Sequence, residues 1–276
     1  MKILVTGSSG FIGQHVTARL NDEGHDVIAA SRKTGVDFNL MLETSDWLPH
    51  LEAIDVVINC VGIIVETRQQ RFNILHTRAP AALFKACEQV GVTRVIQVSA
   101  LITDGTNEKS FTPYQLSKKA ADDVLRNLSI EWFILRPSLV YGEEGASTRF
   151  FKMLAKLPLL ALVSGGSQKI QPVHIMDLVD VVSACLTAQP AGRTIDVVGP
   201  HVMTFAQWIQ RLRQQTGKGQ ALLIPLPYKG MLMISYLLYF WIPLLHPDNL
   251  RMLQQGNFSN DTSMLKLLGR APRDVP

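Results

Sequence analysis

The chain is 276 residues long, 47% hydrophobic and 18% charged, with a formal net charge of +4. That is room for one large domain, or a domain with a smaller lobe, around a substantial core; no dense Lys/Arg run marks a nucleic-acid surface, so no nucleic-acid partner is expected. Cys60, Cys87 and Cys185 are odd in number and lack metal-ligand spacing, so they read as small buried residues in a reducing compartment, and no metal site is expected.

Met1-Lys2 leads into the short apolar run Ile3-Leu4-Val5, which reads as a buried parallel strand, and no secretory leader is expected. Gly7-Ser8-Ser9-Gly10-Phe11-Ile12-Gly13 follows and opens a helix with Ile12, Val16 and Leu20 on one face. The first glycine permits a tight turn, the second lets backbone N–H groups approach a pyrophosphate, and the third allows close helix–strand packing. The helix N-terminus adds unpaired donors and a positive dipole end. A dinucleotide site is expected here, with Gly7, Ser9, Gly10, Phe11, Ile12 and Gly13 lining it.

Asp26–Ala30 reads as a second strand, followed by Ser31-Arg32-Lys33. NAD-preferring folds place a carboxylate here for the ribose 2′-hydroxyl. Arg32, with Ser31 beside it, instead suits a 2′-phosphate, so NADP(H) is favoured over NAD(H). Val36-Asp37-Phe38 reads as a short third strand, with Asp37 near the adenine.

Asp55–Cys60 reads as a buried strand ending at Asn59-Cys60-Val61-Gly62, a second loop facing the cofactor. Residues 72–90 carry a helical pattern ended by Gly91, Arg94–Ser99 the next strand, and Thr112–Leu128 a helix with Pro113 in its first turn. Glu131–Leu135 is another strand, running into Arg136-Pro137-Ser138. Strands alternating with helices imply a parallel sheet covered on both faces, with sites beyond the carboxyl ends of the strands. The Gly loop, Arg32, Asn59, Ser99 and Arg136 should therefore converge.

Beyond Gly142 the alternation loosens. Residues 149–162 read as a short helix interrupted by Pro158, 174–188 as a helix, and Thr194–Val198 as a strand returning to the main sheet. Gly230–Leu245 carries no charge, is shorter than the roughly 18 residues of a spanning helix, and meets Pro243 near its end. Its first reading is a helix buried in a C-terminal lobe. The alternative is a surface that docks onto a bilayer or a membrane partner, with Tyr236, Tyr239 and Trp241 at the interface.

Tyr114 and Lys118 lie at i and i+4 on one helix face. An ammonium beside a phenol favours phenolate and fits the tyrosine for acid–base work, and Lys118 can also hold the nicotinamide ribose.

Taken together, Thr6–Gly13, Tyr114-Gln115-Leu116-Ser117-Lys118, Arg136–Gly142 and Pro172–Leu178 resemble the short-chain dehydrogenases/reductases of the extended or atypical kind, which include nucleotide-sugar epimerases and dehydratases. Val57–Gly62 and Val98–Leu101 resemble the branch containing the nucleotide-binding accessory subunit of complex I and its bacterial relatives.

The resemblance implies an α/β Rossmann fold: a doubly wound parallel sheet with a smaller, mostly helical C-terminal substrate lobe. Residues 1–145, with 174–200 returning to them, would form the NADP-binding domain, and 146–173 with 201–276 the lobe. It implies an NAD(P)-dependent oxidoreductase or epimerase taking a sugar-nucleotide or similar small-molecule carbonyl substrate. Tyr114 would exchange the proton and Lys118 tune it, with Ser99 or Thr103 polarising the oxygen. The family's own Ser or Thr position after the strand holds Ala100 here, and His76 stands where epimerases commonly carry asparagine. Cys60, Val61, Gly62, Arg136, Pro137 and Ser138 complete the implied cofactor set; Tyr141 and the loop to Arg149 would shape the substrate side, and His174 would tether the helix it begins. The alternative is a non-catalytic NADP(H)-binding protein for assembly or redox sensing. A cytoplasmic location is expected, with peripheral attachment at the inner face of a membrane and oligomer formation left open.

Overall fold

A computed structural model of the chain describes residues 1–101 and 111–276. Strand β1 (Lys2–Thr6) has Ile3, Leu4 and Val5 at most 1% exposed, because parallel neighbours flank it on both sides. Helix α1 (Phe11–Asp22) buries Val16 and Leu20, and β2 (Asp26–Ala30) is the edge strand, with Ile28 exposed. Residues 36–38 do not form the strand expected of them. Asp37 Oδ1 accepts from Asn39 N–H (2.9 Å) and Nδ2 (3.0 Å), a side-chain-held turn that drops Val36 and Phe38 into the core, where Phe38 meets Trp47 of the short helix α2 (Thr44–Trp47) edge-on.

Strand β3 (Val56–Asn59) is buried throughout. A π-helical turn, Asn73–Arg78, leads into α3 (Ala79–Val90), then come β4 (Arg94–Val98), α4 (Pro113–Arg126) and β5 (Glu131–Pro137). Thr112 caps α4: its Oγ1 accepts from Gln115 N–H while Gln115 reaches back to Thr112 N–H.

Past β5 the chain forms β6 (Val140–Tyr141), α5 (Ala146–Ala155), β7 (Leu159–Val163), β8 (Lys169–Ile170) and β9 (Val173–His174). The helix expected over 149–162 therefore stops before Pro158; Leu160 and Leu162 alternate with exposed Leu159 and Ala161, the period of a strand with one buried face. Next come α6 (Ile175–Ala184), β10 (Arg193–Val197), β11 (Met203–Thr204), α7 (Phe205–Gln214), β12 (Leu222–Leu226), α8 (Tyr228–Leu238), α9 (Pro247–Gln255) and α10 (Ser263–Leu268).

Two compact units result. The first comprises residues 1–137, 175–197 and 261–270. Its six parallel strands run β10-β5-β4-β3-β1-β2, the doubly wound arrangement, with helices on both faces. Strand order reverses between β1 and β3, which places the crevice for a ligand beyond their carboxyl ends. On one face Leu4, Val57, Val95 and Ile134 pack with Leu83, Phe84 and Leu125 from the helices. Residues 261–270, read from sequence as part of the lobe, belong here: α10 packs on α6 and β10, and Arg270 pairs with Asp177 (2.7 Å) and Asp180 (2.5 Å) of α6.

The second unit comprises 138–174, 198–260 and 271–276. Its core gathers Phe205, Trp208, Ile209 and Leu212 of α7 with Leu160, Leu162 and Phe151. β12 pairs with β7 in parallel, Leu222 opposite Leu159. His174 sits in β9 beside Tyr141 of β6, one residue ahead of α6 rather than within it. The stretch 230–245 is not a buried helix: Met233, Leu237, Phe240 and Trp241 are 69–84% exposed.

Candidate functional site

The glycine loop is shaped by contacts that leave no room for side chains. Gly7 has φ +71°, and a Cβ there would stand 2.9 Å from the Cys60 carbonyl carbon and the Val61 nitrogen. β1 and the loop after β3 thus meet backbone to backbone at the switch point. A Cβ on Gly13 would lie 2.2 Å from Gly7 O, and one on Gly10 3.2 Å from the same oxygen. The loop is closed by Gly10 N–H donating to Gly7 O (2.9 Å), leaving Ser9 and Gly10 exposed ahead of the first turn of α1. N–H groups in a helix's first turn have no partner within the helix, so this cradle can hold a pyrophosphate through Phe11, Ile12 and Gly13.

Ser8 Oγ donates to Ala30 O (3.1 Å), tying the loop to the end of β2, where Ser31 is buried and Arg32 exposed. Asp37 is occupied by the turn at Asn39. Asn59 is fully buried: its Oδ1 accepts from Thr6 Oγ1 (2.7 Å) and Val61 N–H (3.1 Å), and its Nδ2 donates to Gln97 Oε1 (2.7 Å). This polar chain across β1, β3 and β4 fixes the Cys60–Gly62 loop, whose backbone, rather than the Asn59 side chain, faces outward. Burial pushes the Cys60 thiol up to about 12, so it stays protonated.

Tyr114 and Lys118 occupy the first two turns of α4. Lys118 is 4% exposed, and its Nζ donates to Val61 O (3.2 Å) and Val98 O (3.1 Å), bridging the ends of β3 and β4. Burial pulls its ammonium down to about 8, against the opposing pull of Asp122. The expected lowering of the phenol does not occur. Burial pushes Tyr114 up to about 12, the Asp122 carboxylate adds to the rise, and Lys118 directs its charge at backbone carbonyls.

His76 is fixed from three sides. Its Nε2 accepts from Ile63 N–H (2.9 Å), so its proton resides on Nδ1, which donates to Ser117 Oγ (3.0 Å); Ser117 in turn donates to Tyr114 O (2.7 Å). Phe72 stacks on the ring, and Tyr114 meets both rings edge-on. Burial, with the Lys118 charge, holds His76 well below its usual pKa, so it is neutral. The sequence noted His76 as a departure but not this role. Asp122, also missed, lies four residues past Lys118 on α4, a spacing that could have found it.

Ser99 follows β4 directly, and its hydroxyl donates to Asp122 Oδ2 (2.5 Å). Arg136 pairs with Asp196 of β10, Nη2 to Oδ1 at 2.5 Å, and Pro137 ends β5. Ser138 belongs to the second unit, where it donates to Gln171 O. Thr103 lies outside the described residues. The first unit therefore brings the glycine loop, Arg32, Asn59–Gly62, Ser99, Arg136 and Tyr114–Lys118 to the carboxyl edge of one sheet.

Residues 3–198 match the NAD dependent epimerase/dehydratase family. The chain is 29% identical over 220 residues to NADH dehydrogenase (ubiquinone) 1 alpha subcomplex subunit 9, mitochondrial, of Arabidopsis thaliana, covering 72% of this chain and 54% of that one. It is 28% identical over 188 residues to ceramide reductase of Caulobacter vibrioides, covering 63% and 57%. The chain thus spans little more than half the length of these curated relatives. The solved structure of MoeE5 in complex with UDP-glucose and NAD superposes with a TM-score of 0.74 at 19% identity, over 100% of this chain and 94% of that one, a likeness of fold. The match over residues 3–198 makes the chain a member of the NAD dependent epimerase/dehydratase family.

Proposed function

We propose that this member of the NAD dependent epimerase/dehydratase family is an NADP(H)-dependent oxidoreductase or epimerase whose substrate presents a carbonyl or carbinol carbon, as in a sugar nucleotide. The observation that carries the reading is Lys118, a lysine 4% exposed and held by Val61 O and Val98 O one turn from Tyr114. The nicotinamide would supply hydride chemistry. The chain's own part is to hold the pyrophosphate on the glycine loop and α1, the 2′-phosphate on Arg32, and the ribose with Lys118, and to move a proton at the Tyr114 hydroxyl.

With its pKa pushed up to about 12, Tyr114 carries its proton at neutral pH. That suits it to protonate a carbonyl oxygen, so reduction is the direction to assay first. The test supplies NADPH with a panel of ketones, from nucleotide-linked keto sugars to a ceramide-type ketone, the latter suggested by the Caulobacter vibrioides relative's name. Tyr114→Phe should lower kcat by roughly 10²-fold or more and leave nucleotide affinity in place. Unchanged turnover in that variant would remove the acid–base assignment.

A second reading is favoured by one observation: Ser99 gives its hydroxyl to Asp122, and the next residue is Ala100. On that reading the chain holds NADP(H) for assembly or redox sensing without turning it over; the Arabidopsis thaliana relative is named as a subunit of a larger complex, which is compatible with an assembly role. Bound nucleotide that raises the Tm, with no turnover across the whole panel, would select it.

A further inference from the structure

The second unit leaves apolar side chains in water where a folded chain ordinarily covers them. Residues 230–245 contain no Asp, Glu, Lys or Arg. Within α8, Ser235 is the buried residue, and its Oγ donates to Leu245 O (2.5 Å), which clamps that face of the helix to the turn at Pro243–Leu245. Met233, Tyr236 and Leu237, at i, i+3 and i+4, are 69%, 55% and 73% exposed, and Phe240 and Trp241 in the following turn are 77% and 84% exposed. The β7–β12 ribbon, against which α8 packs, continues the surface with Leu159 and Leu222 exposed opposite one another. Contiguous exposure of this kind marks an interaction surface.

Charge identifies the occupant. The second unit holds ten Lys and Arg, Arg213 among them buried, against four Asp and Glu, an excess of positive charge. Lys156 and Lys218, joined by Lys218 Nζ donating to Lys156 O (3.2 Å), stand exposed at the start of the ribbon, and Lys229 stands exposed at the start of α8. A second copy would set this basic surface against itself, at an electrostatic cost. An anionic lipid surface complements it, and Tyr236 and Trp241 are residue types that settle at the headgroup level. α8 is 11 residues long, about 16 Å, roughly half the hydrocarbon thickness. Among the described residues no helix is long and apolar enough to cross a membrane. The helix can enter one leaflet only.

We propose that the second unit docks peripherally onto an anionic phospholipid bilayer through the side chains between Met233 and Trp241. The proposal holds for either reading of the nucleotide site, because nucleotide affinity reports that site separately.

The test is co-sedimentation of the full chain with vesicles of phosphatidylcholine alone and of a phosphatidylcholine–phosphatidylglycerol mixture, at low and high salt. Binding to the mixed vesicles, weaker to phosphatidylcholine and weakened by salt, is expected. The double substitution Phe240→Ser with Trp241→Ser should weaken binding at least about tenfold, with an unchanged Tm and circular dichroism spectrum as the check on folding of the second unit and unchanged nucleotide affinity as that of the first. Reversal at Lys156→Glu, Lys218→Glu and Lys229→Glu should cost about fivefold per lysine on the mixed vesicles. Trp241 emission should shift to the blue on vesicles; Trp47 and Trp208 are already buried and Trp132 is half-buried in β5 of the first unit, so the shift should vanish with Trp241→Ser. No sedimentation with either vesicle, equal binding by the serine variant, or equal binding to both lipid compositions would overturn the proposal. So would a dimer that the serine substitutions abolish in a protein that binds no lipid.

Discussion

His76 and Tyr114 meet edge to face, ring centroids 5.4 Å apart at 85°, and a hydrogen-bonded relay links the same two residues from His76 Nδ1 through Ser117 Oγ to Tyr114 O. The other ring nitrogen accepts from Ile63 N–H, in the chain that follows β3. One neutral imidazole therefore sets the distance between the Cys60–Gly62 loop and the start of α4, the two pieces that Lys118 also joins. The π-helical turn that carries His76 is the local backbone feature that lets it reach both.

Replacing this residue tests the arrangement. His76→Phe keeps the stacking volume but removes the acceptor for Ile63 N–H and the donor to Ser117. A loss of about 2–3 kcal/mol in urea unfolding is expected. Because the folded pKa of His76 lies well below that of the unfolded chain, the unfolded chain binds the extra proton as pH falls below about 6.5. The parent should lose stability over that acid range more steeply than the variant does; parallel slopes would exclude His76 as the buried neutral group.

Lys118 has a depressed pKa, and the sign of its linkage follows. Folded, it titrates near 8, below the usual 10.5, so between those values the unfolded chain holds the extra proton and stability rises with pH. Below pH 8 the burial cost is fully present. Lys118→Met lifts that cost but also removes the donor to Val61 O and Val98 O, so the test is the slope: the parent should gain about 1–3 kcal/mol on the variant as pH rises from 8 to 10. A stability difference independent of pH would show that the ammonium pays no burial cost.

Gly13 is constrained by packing, not by φ. In Gly13→Ala the new Cβ would stand 2.2 Å from Gly7 O and 2.8 Å from Gly7 C, so α1 must retreat from β1. A loss of about 1–3 kcal/mol is expected, together with at least about tenfold weaker nucleotide binding, as the cradle opens. Gly219→Ala meets nothing within 4 Å and serves as the control.

Ser99 separates a structural from a chemical role. Its hydroxyl donates to buried Asp122, so Ser99→Ala deprives that carboxylate of a donor at 2.5 Å. Melting should reveal a loss of about 1–3 kcal/mol, with kcat falling no more than the melting shift explains. A large fall in kcat at unchanged Tm would return Ser99 to the substrate carbonyl.

What the chain discloses locally, the sequence discloses too. Gly7, Gly10 and Gly13 are legible because a turn between a strand and a helix has few solutions, and Tyr114–Lys118 because helix geometry sets which residues share a face. The alternation of strands and helices yields the parallel sheet for the same reason. The Thr6–Asn59–Gln97 chain is hidden, since it joins strands 53 and 38 residues apart and nothing local marks it. The phenol is misread because the spacing reveals the neighbouring ammonium but not where its charge points, and burial wins. For residues 230–245 the first reading, a buried helix, fails because an apolar run looks alike in a core and on a face; Ser235, the polar member turned inward, is the residue that inverts that expectation.

The measurement that bears most directly on the account is titration of the protein with NADPH and NADH, repeated with Arg32→Ser. A guanidinium at the end of β2 that binds the 2′-phosphate in two-point fashion is worth roughly 10- to 100-fold in affinity. The account predicts that NADPH binds tighter than NADH by about that factor and that Arg32→Ser erases the difference by weakening NADPH alone. Equal dissociation constants for the two nucleotides in the parent, or no binding of either, would contradict it.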